Sequence, residues 1–252
     1  MTKSNVPDGD FVKPTTGFWQ EVVEPGDAAA TTLPPYQFGY PAPLADGSHL
    51  ILPLRVLPNG QRAVASLIAN HASFSVIDTL SDAMADLLRD RGVEQIVGMP
   101  TLGLAFAPIV ARNLGLSNYV PLGYSRKFWY RDDLAEPVRS ITTPGVGKSV
   151  YIDPNIESRL AGKRIAVVDD AVSSGSTLLS VLRLLQRIDC EVVAISVAMI
   201  QGVAWRQALA DFDAKAPGLV KGAIAGPMFL RTEGGWVPEA GTLHHPDDHS
   251  PM

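Results

Sequence analysis

From residue 75 onward the apolar residues recur with two different periods. Val76, Leu80, Met84, Leu87 and Leu88 fall at helical spacing, with Arg89 and Arg91 near the end, and predict a helix that Gly92 closes. A short buried strand follows over 95–99, then a helix over 104–114 ended by Gly115, then a strand over 118–122. A strand over 164–168 leads into a helix over 176–187, and 191–199 makes a further strand. A helix over 204–212 and an apolar strand near 220–225 complete the pattern. Buried strand runs separated by helical crossovers predict an α/β fold, an open parallel sheet flanked by helices on both faces.

Outside that alternation the pattern changes. Residues 49–57 and 63–68, joined across Asn59-Gly60, predict a hairpin. The residues before it are rich in Pro, Gly, Asp and Thr, with aromatics at Phe18, Trp19, Tyr36, Phe38 and Tyr40, a composition that wraps a domain more readily than it forms one. The chain therefore divides into a Pro-rich wrap and hairpin (1–74), a core (75–240) and a polar tail (241–252) that reads as disordered. The tail histidines His244, His245 and His249 lack the ordered framework a metal site needs. Inside the core, 126–162 is long, charged and broken by Pro and Gly; such a connection is usually a lid or carries small strands of its own.

Composition narrows the chemistry. With 46% hydrophobic and 19% charged residues among 252, the chain can bury a proper core as one elaborated domain. The net charge of −5 argues against a nucleic-acid partner, which needs a basic surface. Cys190 is the only cysteine, so no intrachain disulfide or paired-thiol motif is possible, which fits the cytoplasm. The longest mostly apolar stretch, 192–200, is far short of the ~20 residues of a membrane helix, and 1–10 has no basic-then-apolar leader; no membrane partner is expected.

The candidate chemistry sits where Ile165-Ala166-Val167-Val168 ends in Asp169-Asp170, followed by Ala171-Val172-Ser173-Ser174-Gly175-Ser176-Thr177 and an apolar helix. In open α/β sheets ligands bind beyond the carboxyl ends of strands, so both acids stand where a ligand would. Freed amides at the helix start, the helix dipole and the hydroxyls of Ser173, Ser174, Ser176 and Thr177 suit a phosphate, and Gly175 lets the backbone approach closely. The acids lie roughly a ribose's reach from that cradle. Each half alone has a plainer use, as a strand end or a helix cap; together they read as a grip on a phosphorylated sugar.

This segment resembles the motif of the type I phosphoribosyltransferases for 5-phosphoribosyl-1-pyrophosphate (PRPP): four apolar residues, two acids, four variable residues, Gly, any residue, Thr. The pattern is closest to the purine enzymes of xanthine and adenine type. The resemblance implies that Asp169 and Asp170 are catalytic and hold the ribose hydroxyls, directly or near a PRPP-bound Mg²⁺, and that Ser173, Ser174, Gly175, Ser176 and Thr177 bind the 5′-phosphate. It further implies that Thr101, Leu102 and Gly103 form the pyrophosphate loop, with Arg126 and Lys127 as a basic segment beside it. The stretch 126–162 corresponds to the family's mobile loop. A homodimer, a nucleobase co-substrate and a place in purine salvage are also implied.

The departures are specific. No charged residue lies between Pro100 and Gly103, and Ser173 stands where hypoxanthine-guanine enzymes carry a third Asp, which removes the obvious group for protonating a purine nitrogen. Asp132, Asp133 and Glu136 are the loop acids that could replace it. Met199, Gln201 and Trp205, where the chain leaves the sheet, are candidates for the base pocket, an amide with apolar and aromatic faces. Two rival functions remain at this point. One is a PRPP-sensing regulator without catalysis. The other is a nucleotide hydrolase using Thr142-Thr143-Pro144-Gly145-Val146-Gly147-Lys148-Ser149 as a phosphate loop, although Thr142 replaces its first glycine and the β-like Val150-Tyr151-Ile152 follows in place of a helix. Even without that loop, Lys148 is available to contact phosphate from the long connection.

Overall fold

The computed structural model describes residues 13–138 and 148–244. Its first strand lies inside the Pro-rich start: β1 (Gly39–Pro43) pairs antiparallel with β2 (His49–Val56). Pro41 and Pro43 are accommodated because β1 is the outermost strand of its sheet, where a proline without an N–H disrupts no second ladder. The expected hairpin is present, β2 turning through Gly60 (φ +68°) into β3 (Arg62–Ala65), with Leu54 opposite Ala65.

Helix α1 (Phe74–Asp86) starts where Ser73 Oγ accepts the Val76 N–H at 3.2 Å, and it buries Val76, Ile77, Leu80 and Met84 along one face. Left-handed Gly92 (φ +63°) turns the chain into β4 (Gln95–Gly98), buried at every position. The helix expected over 104–114 is split: a 3₁₀ turn at Leu102–Ala105 precedes α2 (Ala107–Asn113). Pro108 in the first turn of α2 explains the break, since it has no N–H to continue an earlier helix and its fixed φ suits a new start. Next come β5 (Val120–Pro121) and, in the long connection, β6 (Ala135–Val138) and β7 (Lys148–Tyr151), which pair antiparallel.

The second half runs β8 (Lys163–Val172), α3 (Ser176–Leu185), β9 (Cys190–Gln201), α4 (Ala204–Ala210), α5 (Ala216–Leu219) and β10 (Val220–Gly226). A last hairpin, β11 (Met228–Thr232) and β12 (Gly235–Pro238), is unannounced by the strand pattern, although Gly234-Gly235 marks its turn. Two five-stranded sheets result. The central one has the order β10-β9-β8-β4-β5 and is parallel throughout; the other, β1-β2-β3-β11-β12, is antiparallel and joins both ends of the chain, with Phe229 opposite Ala63.

The strand alternation of β8 sorts its residues to two cores. Ala166 and Val168 pack with Leu80 and Met84 of α1, Val110 of α2, and Leu50, Leu52 and Phe229 of the antiparallel sheet. Ile165 and Val167 pack with Val181 and Leu184 of α3 and Leu209 of α4. Fully buried side chains of this kind stabilise by roughly 1.5–3 kcal/mol each, so the central strands are rigid supports for whatever projects from their ends. Within the stretch read as a disordered tail, residues 241–244 are described and packed: Thr242 Oγ1 accepts the Met228 N–H at 2.9 Å, and His244 is buried against Trp205. The rest of that tail, the first residues of the chain, and Thr142 to Gly147 of the rival phosphate loop lie outside the described residues. Lys148 and Ser149, which are described, begin a strand and not a helix. Among the described residues no helix is long and apolar enough to cross a membrane.

Candidate active site

The cleft arises from a mismatch in strand length. β4 ends at Gly98, opposite Val168, whereas β8 continues beside β9 as far as Val172, pairing Asp169 with Val197, Ala171 with Met199 and Val172 with Ile200. The strand therefore outruns the expected end at Val168, because its long parallel partner keeps the polar residues extended. On the vacated β4 side, the chain leaves Gly98 and crosses the face of β8. Met99 N–H donates to Val168 O at 2.9 Å, the Pro100-Thr101 peptide is cis, and Gly103 lies against Asp169. A Cβ on Gly103 would stand 2.8 Å from Asp169 Cα and 2.8 Å from its Oδ1, so only glycine permits this approach.

A cleft of about 320 Å³ opens between that crossing and the start of α3, lined by Pro100, Thr101, Leu102, Tyr124, Lys148, Asp169, Asp170 and Ser173 to Leu178. Gly175 is left-handed (φ +78°) and gives α3 no side-chain cap. The Ser176 N–H donates to Ser174 Oγ at 3.4 Å, and the other amides that open α3 stand at the cleft with the dipole's positive end, beside the Ser174 and Ser176 hydroxyls, which are 3.0 Å apart. Across from them stand the two carboxylates, with Asp170 N–H donating to Asp169 Oδ1 at 2.9 Å.

Burial holds the Asp169 carboxyl well above the ordinary carboxylate range, and the neighbouring Asp170 charge pushes it further. Asp170 is raised too, chiefly by burial. The Tyr124 phenol is raised first by burial and then by the negative charges of Asp169 and Asp170, which places it in the field of the pair. The cleft thus has a cationic-dipole end at α3 and a centre crowded with negative charge. It suits a ligand with an anionic end and hydroxyls or a bound cation at its middle.

Of the residues singled out in the sequence, Asp169, Asp170, Ser173, Ser174, Gly175, Ser176, Thr177, Thr101 and Leu102 all line this one cleft. Gly103 is buried behind it as the contact that lets the loop close on β8. Arg126 and Lys127 are not brought to the cleft: Arg126 pairs with Asp132 at 2.5 Å and Lys127 is exposed. Nor do Met199, Gln201 and Trp205 reach it. Met199 is in the core, the Gln201 amide donates to Pro227 O at 2.8 Å and Gly226 O at 3.2 Å, and Trp205 donates to Gly202 O at 3.2 Å. These residues end a strand and begin a helix, and packing takes them inward. The loop acids are likewise occupied, Asp133 by Arg131 at 2.8 Å and Glu136 by Arg187 at 3.0 Å. Of the segment Tyr124-Ser125-Arg126-Lys127 that follows β5, the sheet neighbour of β4, it is Tyr124 that lines the cleft.

The model of the family described as phosphoribosyl transferase domain matches residues 64–213, which contain every cleft residue named above. The adenine phosphoribosyltransferase of Streptomyces avermitilis is 29% identical over 139 residues, 55% of this chain and 71% of that protein. The one from Sodalis glossinidius is 30% identical over 132 residues, 52% of this chain and 66% of its own length. Among solved structures, adenine phosphoribosyltransferase from Thermoanaerobacter pseudethanolicus has a TM-score of 0.47 at 19% identity, covering 60% of this chain and 81% of that one. The Giardia lamblia APRTase complexed with 9-deazaadenine has a TM-score of 0.48 at 17% identity, covering 60% and 80%.

Proposed function

The chain belongs to the phosphoribosyl transferase domain family, and from that premise we propose that it transfers the phosphoribosyl group of PRPP to a purine nucleobase and releases pyrophosphate. One observation carries this reading: the start of α3, with no side-chain cap from Gly175, and the half-buried Asp169-Asp170 pair line a single cleft. An anion binds the first and a polyhydroxylated ring the second.

The amides and hydroxyls of 173–177 take the 5′-phosphate, which orients the sugar with its ring over the carboxylates. Asp169 and Asp170 accept hydrogen bonds from the 2′- and 3′-hydroxyls. As the bond from C1 to pyrophosphate oxygen breaks, positive charge grows on the ring, and carboxylates already in place stabilise it without reorganising. The base nitrogen supplies its lone pair to C1 and loses its proton. Adenine is the first base to try, since that is the acceptor in the names of the relatives above.

The donor set fits magnesium. Two carboxylates crowd together with raised proton affinity, and among the described residues no group of three or more His, Cys, Asp or Glu forms a cage. Magnesium takes few protein ligands and relies on water and substrate phosphate, so Asp169 and Asp170 would hold a PRPP-bound ion directly or through water. There it would neutralise charge on the departing pyrophosphate.

The test is pyrophosphate release from PRPP and magnesium with a panel of adenine, guanine, hypoxanthine and xanthine. Release with at least one purine is expected. Heat of PRPP binding with no release on any base would favour a sensor over an enzyme, and absence of both would end the proposal.

A further inference from the structure

Behind the cleft, the start of α3 is packed against a part of the chain that the family match does not include. Residues 242–244 lie beyond that match, which stops at 213. Thr242 Oγ1 fixes them to the antiparallel sheet, accepting the Met228 N–H at 2.9 Å and donating to Glu239 O at 2.7 Å. Two residues on, His244 is buried, an imidazole with no part in the transfer chemistry.

His244 is one of two side chains that enclose Trp205. The rings meet edge to face with centroids 5.6 Å apart, and the Arg206 guanidinium lies 5.7 Å from the indole centroid. Arg206 also donates to His244 Nδ1, since a guanidinium has no acceptor, so that nitrogen carries no proton and the two side chains hold one another in place. Trp205 in turn backs the phosphate cradle. A Cβ on Gly175 would meet Trp205 Cβ at 3.4 Å and its Cα and carbonyl oxygen at 3.5 Å, so the left-handed turn that opens α3 stands within one methyl group of Trp205. Val172, just before the cradle, and Leu178, just after it, are buried in the same core as Trp205. Both flanks of 173–177 are thereby anchored where His244 closes on the indole.

We infer that the 242–244 segment positions the cradle for the 5′-phosphate, with His244 acting through Trp205. This rests on the phosphoribosyl-transfer reading above. A phosphate gripped by backbone amides is held only as well as those amides are aimed, because a hydrogen bond weakens steeply with misalignment. His244 and Trp205 touch no substrate; both are positioning residues.

Calorimetry with ribose 5-phosphate, together with the transfer kinetics, tests this. His244→Ala should weaken ribose 5-phosphate by about tenfold, the equivalent of one charge-assisted hydrogen bond lost from the cradle. The KM for PRPP should rise by a similar factor, while kcat and the KM for the base stay within about twofold, as expected when only binding of the phosphate end is lost. His244→Phe keeps an aromatic edge against the indole and should recover part of the loss. Should His244→Ala not fold at the assay temperature, Thr242→Val, which loosens only the anchor, decides by the same split with a smaller rise. Unchanged ribose 5-phosphate affinity in the folded variant overturns the inference and leaves the transfer reading intact. An equal rise in both KM values also overturns it, because a general loosening would act on both substrates. A His244→Phe protein no better than His244→Ala removes the ring contact as the means. If the wild-type protein binds no ribose 5-phosphate, the reading of the whole cleft falls with it.

Discussion

Replacing Gly103 by alanine probes how the cleft is held together. The new Cβ would lie 2.8 Å from Asp169 Cα, 2.8 Å from Asp169 Oδ1 and 2.9 Å from Val168 O. Carbon atoms rest about 3.5–4.0 Å apart, so the loop must retreat from β8 by roughly 1 Å. The opposing atoms cannot give way: Asp169 is paired in register with β9, and Val168 O already accepts the Met99 N–H at 2.9 Å. Overpacking of this kind costs about 1–3 kcal/mol. At ~2–4 °C per kcal/mol for a chain of this size, the unfolding temperature should fall by about 2–12 °C. The retreat also carries Thr101 and Leu102 away from Asp169, and a displacement of ~1 Å at a reacting centre can cost on the order of a hundredfold in rate. Thermal unfolding followed by the pyrophosphate-release assay measures both effects. Gly123→Ala is the control, since a Cβ there meets nothing within 4 Å. A Gly103→Ala protein as stable and as active as that control would refute the close-approach argument.

Two further outcomes follow from the same geometry. Asp169→Asn should unfold at a higher temperature than wild type at neutral pH, because burial and the Asp170 charge oppose ionisation in the folded state. The raised carboxyl makes folding less favourable as pH climbs from the unfolded value, about 3.9, through the folded one; the advantage of Asn should vanish below about pH 4, and an advantage that persists there, seen in unfolding temperatures across pH, would contradict this. Arg187→Ala removes a 3.0 Å pair with Glu136 and a 2.7 Å bond to Ala135 O, both tying β6 to the end of α3. With Arg187 44% exposed, about 1 kcal/mol is expected. Amide hydrogen exchange in β6 and β7 should quicken by several-fold, and unchanged protection would remove Arg187 as the tie.

The parts of this molecule legible from sequence are those set by short-range rules. Asp169, Asp170 and 173–177 were found because an apolar strand, two acids and a glycine opening a helix dictate one another within a few residues. The parallel sheet was legible for the same reason: β4 and the middle of β8 and of β9 bury both faces and so read as apolar runs. Strand β1 was illegible because its prolines are acceptable only at a sheet edge, and edge position is a property of the assembled sheet. Arg126 and Lys127 follow the same logic. Their place in the chain after β5 suited a phosphate contact, but the partner that fixes Arg126 is Asp132, chosen by how the connection folds back.

That contrast also explains where the cation of the cleft comes from. A charged side chain near an acid in sequence is readily captured by it, as Arg131 is by Asp133 and Arg126 by Asp132. A lysine delivered by a separate strand pair, whose own register is fixed by the burial of Val150 and by the β6–β7 ladder, arrives with its charge unspent. The antiparallel pair within 126–162 is therefore more than a stabilised connection. It is the element that sets Lys148 over Tyr124 in the wall of the cleft, and the ties of β6 to α3 through Ser180 and Arg187 link that placement to the helix that opens at the cleft.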